Sequence, residues 1–564
     1  MKLQALHKNW RLTAMALGLQ ALSVGVWAQT QPTAPPQSQI QQSIEQAIQQ
    51  KSNQGVRAQA PAIDVLGREA AEPIDKLLTV RVLSPELKER ILGYWKDSLG
   101  KAVSPEEISR FNAWLFETTR REGYLSYSQT KVVPQAGGSE LEVTVVRPMI
   151  RAIRVVFSDK ASQGKYGQLL LQRFEQDFKV GKPLDTLALD QRLDTLSYDL
   201  PLELLTSVRA AGPQAIDLVV SARELKSQPG QWQGGLVQLN NYGIKSYGRP
   251  QVLGSISYEG LTPKSSLNLS AQASEGILAY GRAEYEAPFY GSEQRGRVWA
   301  AASNSHTILG GQAASNGHFK EIGVGTSNLT PGERDFVVKS EFDFAVRHSD
   351  SSLRSTGQSL SQVHDHQMRF RAAINNDRLT SNSRHVDFQL AIGHYSRLDG
   401  IRSVEMGPYA RFDLNLRHRQ HWDEDNRIHT LLRFKAQLNS ARLDSPNQMT
   451  LGGVNGVRAY ASVDGVGDRG ALVSLELNRR LDNGVTVGGF YDGGVIQLLN
   501  PQAGEYARTY ALQALGVQTL ISHQNNTLNL SLAKGIRGYK GWTPSNIDTQ
   551  PNNWRLNAAL THYF

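Results

Sequence analysis

The chain of 564 residues contains no cysteine. It therefore forms no disulfide, offers no thiolate to a metal and carries no cysteine nucleophile. Long apolar runs are missing too: no stretch reaches the roughly 20 residues that a membrane-spanning helix requires. Nor is charge concentrated. The net charge is +9, and it falls to +6 when residues 1–28, with Lys2, Lys8 and Arg11 and no acid, are set aside. The basic residues are scattered, which argues against nucleic acid as a partner, since that wants a clustered basic face. There is no Walker loop, no Gly-x-Ser-x-Gly and no His-Glu-x-x-His. His364-Asp365-His366 reads as part of a polar loop rather than as a metal site. The chain is thus expected to be no enzyme, with no catalytic residue, metal or cofactor.

What is present begins with a leader. Lys2, Lys8 and Arg11 precede a short apolar stretch from Leu12 to Val26, and Val26-Trp27-Ala28 offers a small-residue cleavage site before Gln29. Residues 1–28 are read as a signal peptide. Residues 29–72 are rich in Gln, Pro, Ala and Ser and read largely as linker. Within them, about residues 39–51, Ile40, Ile44, Ala47 and Ile48 recur at helical spacing. That stripe is too narrow to hold a core, so a helix there must dock into something else or fray.

Residues 73–149 read as strand, helix, helix, strand, strand. Leu78, Val80 and Val82 alternate, and Ser84-Pro85-Glu86 resembles a helix start with Ser84 as N-cap. Ser104 and Glu107 are spaced as a capping box ahead of Ile108, Phe111 and Leu115, and Gly123 sits where a left-handed cap is wanted. Residues 150–225 repeat the order, with helices expected over Tyr166–Phe178 and Asp185–Tyr198. Two α+β units in tandem form an internal repeat by pattern, though not by identity.

From 230 to 564, about sixteen segments alternate apolar and polar residues with period two, parted by Gly, Asn, Asp and Ser. Phe342 and Phe344 oppose Glu341 and Asp343; Phe412 and Leu414 oppose Arg411 and Asp413; Leu475 and Leu477 oppose Ser474 and Glu476. A charge facing lipid costs about 2–4 kcal/mol near the midplane, so the charged face must meet water. The pattern predicts a transmembrane antiparallel β-barrel of about 16 strands. Its last strand, Asn553 to Phe564, ends on an aromatic and must pair with a first strand near Trp232–Asn241 to close the wall.

Certain motifs carry a resemblance. The paired units, with Arg-Glu-Gly-Tyr at 121–124 and Gly-Lys-Pro-Leu at 181–184, look like POTRA (polypeptide transport-associated) domains, 73–149 being the first and 150–225 the second. Ala211-Gly212-Pro213 stands where that family has a Pro-Gly turn. A long insertion at about 443–469 contains Val457-Arg458-Ala459-Tyr460, followed by Phe490-Tyr491-Asp492-Gly493-Gly494 on the second strand after it. This resembles the Val-Arg-Gly-Tyr loop and Phe-x-Asp-x-Gly wall motif of the Omp85 superfamily, with Ala459 replacing glycine. The resemblance implies that the loop folds into the barrel and that Arg458 pairs with Asp492 on the wall, near Phe490 and Gly494. The fork of an arginine suits a carboxylate in two-point fashion. Such a pair predicts rescue by reversing both charges, while Ala459 puts the turn in doubt because alanine disfavours positive φ. Asn240-Asn241-Tyr242-Gly243 and Ser246-Tyr247-Gly248-Arg249 resemble the first hairpin of two-partner secretion transporters, or equally read as ordinary turn chemistry.

The whole then resembles a two-partner secretion transporter of the bacterial outer membrane. That implies periplasmic POTRA units binding a secreted exoprotein through its N-terminal secretion domain. It also implies conduction through the barrel without nucleotide, a plug helix carrying Ile40, Ile44 and Ile48, and contact with outer-membrane lipid. Phe564 would then be a signal to the outer-membrane assembly machinery. The alternatives are an assembly factor of the same superfamily, or a passive porin.

Overall fold

A computed structural model describes residues 62–63 and 73–564, except 122, 213, 226–230, 244–247, 276–277, 290–293, 310–311, 333–335, 377–381, 400–406, 424, 463, 482, 501–508, 538–551 and 553. The expected signal peptide, the helix with Ile40, Ile44 and Ile48, and most of the linker lie outside the described residues.

The first α+β unit runs β1 (Leu77–Val82), α1 (Lys88–Trp95), α2 (Pro105–Arg121), β2 (Tyr127–Gln135) and β3 (Gly138–Val146). β3 lies between the other two strands, parallel to β1 and antiparallel to β2. Ser104 and Glu107 cap α2 reciprocally: each side chain accepts the other's backbone N–H, at 3.3 and 2.9 Å. The helix stripe puts Ile108, Phe111 and Leu115 against Ile91 and Trp95 of α1 in one core, and Gly123 ends α2 with φ +90°. Ser84 does not cap the helix that follows it. Its hydroxyl takes the Val145 N–H at 2.9 Å and donates to the Val145 carbonyl at 3.3 Å. Coming directly off β1, Ser84 is spent on extending the sheet, and the chain enters α1 through a single 3-10 turn, Pro85–Leu87.

The second unit runs β4 (Met149–Phe157), α3 (Lys160–Asp177), α4 (Thr186–Asp199), β5 (Leu202–Gly212) and β6 (Ala215–Glu224). α3 begins earlier than its apolar spacing suggests, because the Asp159 carboxylate accepts the Ser162 N–H at 2.8 Å and nucleates an extra turn. Asp185 caps α4 in the same way through Ala188. The Ala211-Gly212 turn is a bulge, Gly212 taking φ +147°. The two-residue strand Ala62–Ile63 adds parallel to the outer edge of β5.

Sixteen strands follow and close on themselves. They are β7 (Gln231–Asn240), β8 (Gln251–Glu259), β9 (Ser266–Ser274), β10 (Leu278–Pro288), β11 (Arg295–Leu309), β12 (Gln312–Pro331), β13 (Val337–Leu353), β14 (Ser359–Asn375), β15 (Arg384–Asp399), β16 (Gly407–His421), β17 (Ile428–Asn439), β18 (Arg469–Arg480), β19 (Val485–Gln497), β20 (Thr509–His523), β21 (Asn526–Arg537) and β22 (Trp554–Tyr563). Phe342 is 53% exposed on the outer face while its neighbour Glu341 is 6% exposed on the inner one. The inward charges neutralise one another in shared clusters, as where Arg297 meets Asp343 at 2.6 Å and Glu341 at 3.0 Å. His364 and His366 lie on β14, not in a loop. They face outward with Met368 and Phe370, and Asp365 between them points inward with Gln367.

Closure joins β22 to β7 over five paired residues, Ala559–Tyr563 against Leu236–Asn240. Phe564 and Gly235 then exchange backbone hydrogen bonds at 2.9 and 3.1 Å. A Cβ at Gly235 would fall 2.4 Å from the Ser255 carbonyl and 2.8 Å from the Phe564 ring, so only glycine fits there. Past the pairing, the Asn241 side chain imitates one more strand residue, accepting from Ala558 N at 2.8 Å and donating to Leu556 O at 2.9 Å. Asn240 closes an Asx turn onto Tyr242.

The second unit touches the barrel through α4, which rests on two hairpins. Gln191 donates to the Phe336 carbonyl between β12 and β13, and Lys264 between β8 and β9 donates to the Ser197 carbonyl, both at 2.9 Å.

Candidate functional site

Residues 440–468 join β17 to β18 and turn into the barrel. A two-residue ribbon, Met449–Thr450 against Val466–Gly467, starts the fold-back. Crowding selects glycine beyond it: a Cβ at Gly452 would lie 1.9 Å from the Ala461 carbonyl, and one at Gly456 2.0 Å from the Leu451 carbonyl. Val457 N–H bonds to Leu451 O at 2.7 Å and Gly453 N–H to Tyr460 O at 2.9 Å, which makes the tip a compact knot. Ala459 is not among the residues with positive φ. The turn accepts alanine there without strain, and Ala459 is buried in one apolar cluster with Val457, Ala514 and Ala533.

The knot presents Arg458 to β19. Its Nε and Nη2 donate to the two Asp492 oxygens, each at 2.8 Å, and its backbone N–H reaches Asp492 at 3.1 Å. Nη1 donates to Glu476 at 3.0 Å and Gln518 at 2.7 Å, and Nη2 also donates to Ser474 at 3.2 Å. All five guanidinium hydrogens thus have acceptors, the condition under which a buried charge is tolerated. Arg458 is 3% exposed and Asp492 fully buried. Burial opposes the Arg458 charge, but hydrogen bonding and ion pairing to Asp492 and Glu476 outweigh it and raise its proton affinity above that of ordinary arginine.

The neighbouring motif residues complete the seat. Phe490 lies beneath the guanidinium, 3.4 Å from ring centre to Cζ. A Cβ at Gly494 would strike Leu451 at 2.7 Å. Tyr460 donates to the Arg537 carbonyl on β21 at 2.9 Å, and burial pushes its hydroxyl up to about 12. Asn557 on β22 donates to the Arg458 carbonyl at 3.0 Å.

Glu476, Gln518, Ser474 and Asn557 are part of the site and are not marked by any motif. Glu476 had a usable signal, since hairpin pairing of β18 with β19 sets Ser474 opposite Asp492 and Glu476 opposite Phe490. The chemistry of the arrangement is mechanical: it fastens a loop across the interior to the wall.

The family model described as haemolysin secretion/activation protein ShlB/FhaC/HecB matches residues 221–519. Comparison with curated proteins yields no match. Among solved structures, CdiB from Escherichia coli is similar over 94% of this chain and 98% of its own, at 14% identity and a TM-score of 0.54. CdiB from Acinetobacter baumannii is similar over 95% and 99%, at 14% identity and a TM-score of 0.55. These two likenesses concern the fold.

Proposed function

The chain belongs to the haemolysin secretion/activation family, outer-membrane transporters of the two-partner secretion type within the Omp85 superfamily, and on that premise we propose that it carries one large exoprotein through its own barrel to the cell surface. The two α+β units act as POTRA domains in the periplasm and receive the client's N-terminal secretion domain. Their sheets end in strand edges that suit β-augmentation by an extended segment. The client is an adhesin, haemolysin or contact-dependent toxin, and its folding outside supplies direction in place of nucleotide hydrolysis. The protein performs no chemistry on its client. The segment with Ile40, Ile44 and Ile48 serves as a plug that leaves during transport, and Phe564 is read by the assembly machinery during insertion into outer-membrane lipid.

The observation that carries this reading is the loop fastened by Arg458 to Asp492 in a barrel with two α+β units ahead of it. A passive porin has no use for either. An assembly factor of the same superfamily would be expected to have more units. The test is deletion of the gene, followed by a survey of the medium and of the outer membrane. Loss of one large secreted protein, with other barrels intact, is the expected result. A general loss of barrels would indicate the assembly factor, and no change in either fraction would indicate the porin.

A further inference from the structure

The Arg458 seat holds the loop to β18–β22. The ascending limb of the loop is fixed elsewhere, on β13–β17, by a side chain that no motif marks. Ser445–Asn447 is a 3-10 turn, and Asn447, 2% exposed, is the centre of a polar cluster.

The two ends of its amide face opposite charges. The oxygen accepts from Arg347 Nη1 at 2.7 Å, Arg411 Nη1 at 2.6 Å and Gln367 Nε2 at 3.0 Å. The nitrogen lies 2.7 Å from Asp444 Oδ1, 2.9 Å from the Tyr395 hydroxyl and 3.0 Å from Asp365 Oδ2. Tyr395 donates to Asp444 at 2.7 Å, and Tyr409 donates to Asp365 at 2.9 Å. The two tyrosine rings stack with centroids 4.4 Å apart. Gln437 on β17 donates to the Asn447 carbonyl at 3.1 Å. Five consecutive strands therefore converge on one loop residue.

An asparagine is suited to this place because it is neutral and dipolar. Its N–H groups separate two carboxylates while its oxygen separates two guanidinium groups. An apolar side chain would leave those buried groups facing one another, and a carboxylate would add a third negative charge to Asp365 and Asp444.

We propose that Asn447 is a second anchor of the in-folded loop, a positioning residue that pins its ascending limb to β13–β17 and thereby sets Arg458 over Asp492. The proposal rests on the reading that the docked loop is the resting state of the transporter. Secretion then has two fastenings to release, one on each sector of the wall.

The absence of cysteine makes the test clean. Met449 lies between the two anchors and is buried. With Met449→Cys in the full-length protein, reaction with a maleimide reports undocking of the loop. Heat-modifiable mobility on gels reports that each barrel is folded. Asn447→Asp keeps the shape and replaces the donor by an acceptor. It should label about tenfold faster at about pH 7.5, and return towards the parent rate near pH 5, where a shared proton restores a donor. Asn447→Leu should label faster at both pH values. Should Asn447→Asp fail to fold, Tyr395→Phe removes one partner while keeping the ring stack, and a rise of severalfold is expected. Parent-like labelling of the Asn447 variants beside fast labelling of Arg458→Ala would overturn the second anchor and leave the Arg458 fastening intact. An equal rise for Asp and Leu at both pH values would also overturn it, since the amide would then matter only for packing. If Arg458→Ala is unchanged as well, the docked-loop reading falls with it.

Discussion

Arg458 sits face-on over Phe490, its guanidinium carbon 3.4 Å from the ring centre, in a place closed to solvent. A desolvated cation–π contact of this kind is worth about 2 kcal/mol. Phe490→Leu keeps an apolar bulk there and removes the ring face. It should weaken loop docking by about 1–2 kcal/mol, with Arg458→Lys on the same background adding less than it does alone. A double-mutant cycle on thermal unfolding or thiol accessibility measures this coupling.

Glu476 decides the outcome of charge reversal at the Arg458–Asp492 pair. Glu476 lies 3.0 Å from Arg458. An aspartate at 458 would meet that carboxylate, and an arginine at 492 would lack the other acceptors. Arg458→Asp with Asp492→Arg should therefore remain as defective in secretion as either single change. Adding Glu476→Gln should recover part of the loss. Full rescue by the double reversal alone would mean that Glu476 does not contribute.

The closing seam is short, and Asn241 extends it by two side-chain hydrogen bonds at 2.8 and 2.9 Å. Asn241→Ala should cost about 1–3 kcal/mol, all of it at the β22–β7 junction. The expected result is a lower temperature for conversion of the compact to the extended band in heat-modifiability gels. The change should be smaller for a matched substitution at a longer strand pair.

Acidity should tighten the base of the loop. Burial and the nearby Asp365 raise the Asp444 carboxyl to about 6, against the opposing effects of the Tyr395 hydrogen bond and Arg347. A carboxyl raised in the docked state binds its proton more tightly there than when released. Docking is therefore strongest below the ordinary carboxylate value of about 4 and weakens as the pH rises to about 6. Arg347, Arg411, Tyr395, Tyr409 and Asp365 also face the cluster. Maleimide reaction at Met449→Cys, corrected for the thiolate fraction, should rise between about pH 4 and pH 6 and then level off. In Asp444→Asn the step should disappear.

Much of the architecture is legible in the sequence, and the reasons are particular. Strand alternation at Phe342–Asp343 or Phe412–Asp413 reports lipid on one side and water on the other, whatever the neighbouring strands are. The pairing of Ser104 with Glu107 is local and its geometry repeats in every helix that uses it. Asp492 could be found because a short motif and its order along the chain single it out. The other side of the site had no such marker. Gln518 and Asn557 reach Arg458 from 60 and 99 residues away, a separation at which periodicity has no memory. Ser84 departs from its helix-start pattern because two nearby claims compete for one hydroxyl, and the sheet edge takes it. Asn447 in Ser-Pro-Asn looks like an ordinary turn residue, and only the convergence of five strands distinguishes it.

The contact of α4 with the hairpins β8–β9 and β12–β13 gives the second α+β unit a hold on the barrel besides the chain itself. If the second α+β unit grips a client as proposed, part of the traction on it passes through Gln191 and the Lys264 contact into those two turns. Arg295 braces the first of them, holding the Lys264 carbonyl at 2.8 Å and Glu286 at 2.6 Å. The five-residue seam between β22 and β7, the weakest line in the wall against shear, stands one strand away from that load. Because β6 is followed in the chain by β7, load also reaches the strand at that join, and the braced hairpins take a share of it.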